Sequence, residues 1–94
     1  MAGWVMTAGD AISLRLENCG LTQAELADAA GISRFRVNSI INGRRRLTPD
    51  SALRIGNALG MTPVNLLEFQ ASDDLFALRQ AGVGDDVRCI TRPR

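Results

Sequence analysis

Apolar residues in this chain recur three and four positions apart, and those intervals set out a run of short helices. Ile12, Leu16 and Cys19 form the first inward stripe, predicting a helix from about Ala8 to Cys19 that Gly20 ends. Leu26, Ala27 and Ala30 form the next. It opens at Thr22, whose hydroxyl and the carboxylate of Glu25 can satisfy amide groups reciprocally. Gly31 supplies the freedom for a tight turn, Ile32 plugs inward, and Ser33 caps a third helix with Val37, Ile40 and Ile41 on its inner face. Gly43 closes that helix. Thr48-Pro49 starts a fourth, which buries Ala52, Ile55 and Leu59, with Gly56 allowing close helix contact before Gly60. Thr62-Pro63 repeats the start signal for a fifth helix, carrying Val64 and Leu67 to about Ala71. Ser72-Asp73-Asp74 reads as a further helix start, with carboxylates toward the positive end of the dipole. A short sixth helix would use Leu75, Phe76 and Leu78 before Gly82.

The predicted class is therefore all-α, with five to six short helices. Residues 1–7 read as a flexible lead-in, in which Trp4 carries no functional signal; residues 8–81 form the domain and 82–94 a tail. In that tail Val87, Cys89 and Thr91 alternate with Arg88, Ile90 and Arg92. The alternation fits a short extended strand and a disordered tail equally.

The polar positions give the second and third helices their meaning. Around a helical wheel Phe35, Asn38, Ser39 and Asn42 point away from the inner face of the third helix, with Arg34 and Arg36 on the margins. Any two amphipathic helices joined at a glycine give part of this pattern. Here the small Ala27, the turn glycine and the inward aliphatics all stand at the intervals of a helix-turn-helix. The outward face carries side chains suited to base edges: arginine for guanine, asparagine for adenine. Phe35 either packs on a thymine methyl or leans back onto the domain. The next loop is Arg44-Arg45-Arg46, and three consecutive arginines repel one another without counter-ions, which favours phosphate contact over a solvated loop.

Charge sharpens this reading, because the net +1 hides an asymmetry. Between Ser33 and Arg54 six arginines face one acid, Asp50, a balance of +5, which leaves five arginines against nine acids elsewhere, about −4. Positive charge concentrated around one helix suits an anionic partner. A chain of 94 residues makes one domain with a small core. No apolar run approaches membrane-spanning length, and MAGWVMTAGD lacks the basic and apolar parts of an export signal, so the cytoplasm is the expected compartment. Two cysteines are too few for a disulfide framework, and the absence of histidine argues against a metal site. Without a nucleophile–base pair the chain is not expected to be an enzyme or to need a cofactor.

The run from Gly20 to Gln70 resembles the HigA/VapI-type antitoxins of the lambda-repressor-like (XRE) helix-turn-helix superfamily. The resemblance rests on Gly20-Leu21-Thr22-Gln23, Gly31-Ile32-Ser33-Arg34, Asn42-Gly43, Leu47-Thr48-Pro49, Ala58-Leu59-Gly60 and Thr62-Pro63, and it continues weakly to Arg79. Thr7-Ala8-Gly9-Asp10 departs from the His-Pro-Gly-Glu often found before the first helix, and Pro63-Val64-Asn65-Leu66 from a usual Pro-Glu-Phe-Trp. The resemblance implies a homodimer on a palindromic operator in its own promoter, and a neutralising complex with a HigB-like toxin, an mRNA endonuclease.

On this reading the third helix enters the major groove of double-stranded DNA. Arg34, Phe35, Arg36, Asn38, Ser39 and Asn42 are the base-reading candidates; Gln23, Ser33, Arg44, Arg45 and Arg46 are the phosphate contacts. Leu66, Leu67, Phe69, Leu75 and Phe76 exceed what two short helices need internally, and part of that surplus is expected to form the dimer surface, with the Val87–Thr91 strand as an addition. Two other classes stay open: a stand-alone repressor of the same fold without a toxin partner, and an interaction module that has kept the fold but not DNA binding.

Overall fold

The structure, a computed structural model, describes residues 6–91; the expectations for Trp4 and for the far end of the tail lie outside them. Five helices follow in order: α1 (Ala8–Cys19), α2 (Gln23–Ala30), α3 (Arg34–Ile41), α4 (Pro49–Leu59) and α5 (Pro63–Gln80). Local chemistry starts most of them. At the head of α2 the Thr22 amide donates to the Glu25 carboxylate at 2.9 Å and the Glu25 amide to the Thr22 hydroxyl at 3.1 Å. Thr48 and Ser51 do the same for α4, with Pro49 in the first turn where its missing amide costs nothing. Thr7 is not slack lead-in. It forms a third such box with Asp10 at the head of α1, a Thr-x-x-Asp signal legible in the sequence.

The core lies where all five helices meet, around Ile12, Leu26, Val37, Ile55 and Leu66, each almost wholly removed from water. Burying each such side chain contributes on the order of 1.5–3 kcal/mol. α2 packs on α3 and α4, while α1 bridges α3 and α5, so the α2–α3 pair sits on a platform of the other three helices. Two close approaches fix that seating. A Cβ added at Gly9 would lie 2.9 Å from the carbonyl carbon of Ile41, and one at Gly56 would lie 2.7 Å from the carbonyl oxygen of Met61. The α1 backbone thus touches the end of α3 directly.

Three sequence expectations change, and one of the two readings of the tail falls. Residues 63–80 form one helix, so Ser72-Asp73-Asp74 is interior and the described residues hold no sixth helix. From Val64 to Gln80 there is no glycine or proline, and acidic side chains are compatible with a continuing helix. Residues 87–91 make no strand; Val87 and Ile90 are exposed, and no sheet edge among the described residues is there to pair with. Cys19 is exposed, because the last turn of α1 overhangs the core beyond Leu16. Thr62 precedes α5 without a side-chain cap.

Candidate nucleic-acid interface

The turn between α2 and α3 is made at Gly31, whose φ of +72° is left-handed and strained for any other residue type. Its amide donates to the Ala27 carbonyl at 2.9 Å and closes α2. Ser33 then opens α3, its hydroxyl accepting from the Arg36 amide at 3.1 Å. Val37 and Ile40 enter the core, which turns Arg34, Phe35, Asn38 and Asn42 to solvent. Phe35 is 71% exposed, so it does not lean back onto the domain.

Two of the expected outward residues face elsewhere. Ser39 is only 5% exposed. The Ser39 carbonyl receives the amides of both Arg44 and Arg45, at 2.9 and 3.1 Å, so the loop winds back over the end of α3. Arg36 is half-buried and lies toward α4, its guanidinium 3.9 Å from Asp50, with Nε buried and unpartnered among the described residues. Asp50 also receives Arg54, whose Nη1 donates to the Ala30 carbonyl at 3.2 Å and so supports the end of α2.

Three amides form a ladder across the exposed surface. Asn42 donates to Asn38 at 3.0 Å, and Asn38 donates to Gln23 at 3.2 Å. Gln23, expected as a phosphate contact, is therefore tied to the α3 face, and the ladder locks the two helices in register. Helical spacing places Asn38 and Asn42 together; the link to Gln23 depends on the α2–α3 angle and has no local signal.

The basic loop is less positive than its sequence. Asp74 of α5 holds Arg46 through two hydrogen bonds of 2.7 and 3.2 Å. Hydrogen bonding to Arg46 keeps the Asp74 carboxyl below the usual carboxylate range, and the same bond raises the guanidinium. One turn earlier Gln70 clamps the Leu47 backbone, accepting its N–H at 2.8 Å and donating to its carbonyl at 2.9 Å. A groove of about 390 Å³ runs between the start of α1, the end of α3 and α5. Its walls carry Arg45 and Arg46 against Asp10, Asp73 and Asp74. Of the six arginines between Ser33 and Arg54, only Arg34, Arg44 and Arg45 form no ion pair among the described residues.

The proposed dimer set also divides. Leu66 is 0% exposed and belongs to the core, and Leu67 and Phe69 pack against it half-buried. Phe76 is half-buried, whereas Leu75 remains open to solvent together with Leu78 and Val83. Among the described residues no group of three or more carboxylate or thiol side chains is placed to hold a metal, and no helix is long and apolar enough to cross a membrane.

Residues 12–66 match the model of the helix-turn-helix family. Antitoxin HigA-1 of Vibrio cholerae is 41% identical over 64 residues, covering 68% of this chain and 60% of that protein. The chain thus spans rather less than two thirds of that relative's length. An addiction module antidote protein of the HigA family from Coxiella burnetii is 30% identical, with 87% of this chain and 94% of that one covered and a TM-score of 0.75. A Pseudomonas aeruginosa protein solved in complex with its operator DNA has a TM-score of 0.82, covering 93% of this chain and 98% of that one; at 20% identity it speaks for the fold.

Proposed function

The chain belongs to the helix-turn-helix family, in its HigA-type antitoxin group, and from that premise we propose that it is a DNA-binding antitoxin. It represses its own promoter as a dimer and neutralises a HigB-like mRNA endonuclease. One observation carries the DNA reading: the exposed row of Arg34, Phe35 and Asn38 on α3 and Asn42 at its C-cap adjoins Arg44 and Arg45, which form no ion pair among the described residues. The row supplies base-reading groups and the two arginines supply phosphate contacts, the division of labour that sequence-specific binding needs. Ser33, at the start of α3, and its neighbouring amides add a phosphate contact at a positive helix end.

The base-reading set is thereby Arg34, Phe35, Asn38 and Asn42, with Arg36 and Ser39 supporting the helix from behind. Two copies place their α3 helices in successive major grooves, roughly 34 Å apart. Their contact surface is built around Leu75 and Leu78, whose exposure on α5 fits such a role.

The test is a fluorescence-anisotropy titration of the full chain against duplex DNA from its own upstream region, with a mixed-sequence duplex as reference. Binding of the two duplexes with equal affinity would remove the specific-repressor reading. The antitoxin part is tested separately, by expressing the adjacent open reading frame alone and then with this chain. Growth arrest relieved by co-expression supports it; a harmless neighbour leaves a stand-alone repressor.

A further inference from the structure

Arg46 lies in the loop that follows the proposed recognition helix, yet its guanidinium is turned back to α5. The turn is built from two sides. Gln70 holds the Leu47 backbone by both its N–H and its carbonyl, which fixes the path of the chain next to Arg46. Asp74, one helical turn further along α5, then takes the guanidinium in a forked pair. Arg44 and Arg45, anchored instead through their amides to Ser39, are left outside that fork. The same loop therefore leaves two arginines without an ion pair among the described residues and engages the third.

We propose that Asp74 is a positioning residue that restrains DNA affinity by holding Arg46 away from the phosphates, while Gln70 keeps the loop in place. The inference rests on the DNA-binding reading above. Each arginine that neutralises a phosphate releases counter-ions, so the number of such contacts sets the slope of binding against salt. Asp74 removes one contact from that number and brings a carboxylate beside the DNA path. Releasing the fork costs the loop nothing in position, because the Gln70 clamp and the Ser39 carbonyl still hold it. α5 thereby sets both the strength of binding and its sensitivity to ionic strength.

The experiment compares the full chain with Asp74→Asn, Arg46→Ala and the double variant. Each is titrated against a fluorescently labelled mixed-sequence duplex, which reports phosphate contacts, from about 50 to about 200 mM salt. Asp74→Asn is expected to bind more tightly than the unaltered chain and to steepen the log–log salt slope by about 0.9. Its advantage should shrink roughly 3.5-fold across that fourfold salt range. In the Arg46→Ala background the same substitution should leave the slope unchanged. An equal steepening in both backgrounds would mean that the lost carboxylate acts only through general charge, and overturns the assignment to Arg46. Unchanged or weaker binding by Asp74→Asn overturns it as well. If the unaltered chain bound no duplex even at the lowest salt, the DNA-binding reading itself would fall and this inference with it.

Discussion

Arg34 and Arg36 stand two positions apart on one helix and end in different surroundings. Arg34 faces solvent on the exposed row of α3, while Arg36 is half-buried toward Asp50 on α4. Two steps along a helix rotate a side chain by about 200°, so adjacent arginines of a basic run need not share a task. Arg34→Ala should therefore cost about 1–3 kcal/mol of operator binding and relax the preference at one base pair. Arg36→Ala should leave base preference intact and act on thermal stability instead. Anisotropy titrations against single-base operator variants check both, and a loss of base preference in Arg36→Ala equal to that in Arg34→Ala would return Arg36 to the DNA. Which margin of a helical wheel is buried was not legible beforehand. It depends on where the first turn of α4 comes to lie, and Asp50 only acquires its position beside Arg36 once the chain has folded back.

Among the elements, the starts of helices were the most legible part of the chain, because a cap is chemistry between residues three apart. Thr22 with Glu25 behaves as its spacing indicates, and Thr7 with Asp10 follows the same rule. Spacing alone still overstates one case. Thr48 and Thr62 both precede a proline, but only Thr48 has a partner at the third helical position that returns the bond; at Thr62 that place holds Asn65 and no side-chain cap forms. Thr48→Ala should therefore cost about 1 kcal/mol, and Thr62→Ala much less. Urea unfolding of the two variants measures the difference, and equal losses would show that the Thr62 hydroxyl contributes in solution. The continuity of α5 was harder to read. Ser72-Asp73-Asp74 has the composition of a helix start, and what rules out a break is the absence of a glycine or proline together with the engagement of Asp74 by Arg46, 28 residues away in sequence.

At the scale of the whole molecule, contacts between distant residues decide which apolar side chains are spare. Leu66 belongs to an apolar surplus by count, yet it fills the centre of the core, and its place among the dimer candidates passes to Leu78. Leu66→Ala should cost about 2–5 kcal/mol of stability. Leu78→Asp should instead leave the melting temperature of the isolated fold near that of the unaltered chain while shifting sedimentation toward a single copy. Sedimentation unchanged by Leu78→Asp would remove this face of α5 from the proposed dimer. The Gln70 clamp and the Arg46–Asp74 pair belong to the same class of contact, since neither partner signals the other until α5 lies across the loop.

The approach of Gly9 to the Ile41 carbonyl joins the start of α1 to the end of α3 without any side chain between them. Position 9 is thereby a thermal fuse. A single methyl group there, in Gly9→Ala, wedges the two backbones apart and should cost about 1–3 kcal/mol. In a domain of this size each kcal/mol lowers the melting temperature by about 4–8 °C. None of the exposed α3 side chains proposed to read bases is altered. The variant is expected to repress at low growth temperature and release its promoter on warming, a heat-inducible regulator obtained from one substitution. A promoter-reporter assay across temperature checks it; repression equal to that of the unaltered chain at every temperature would show that the contact relaxes without cost.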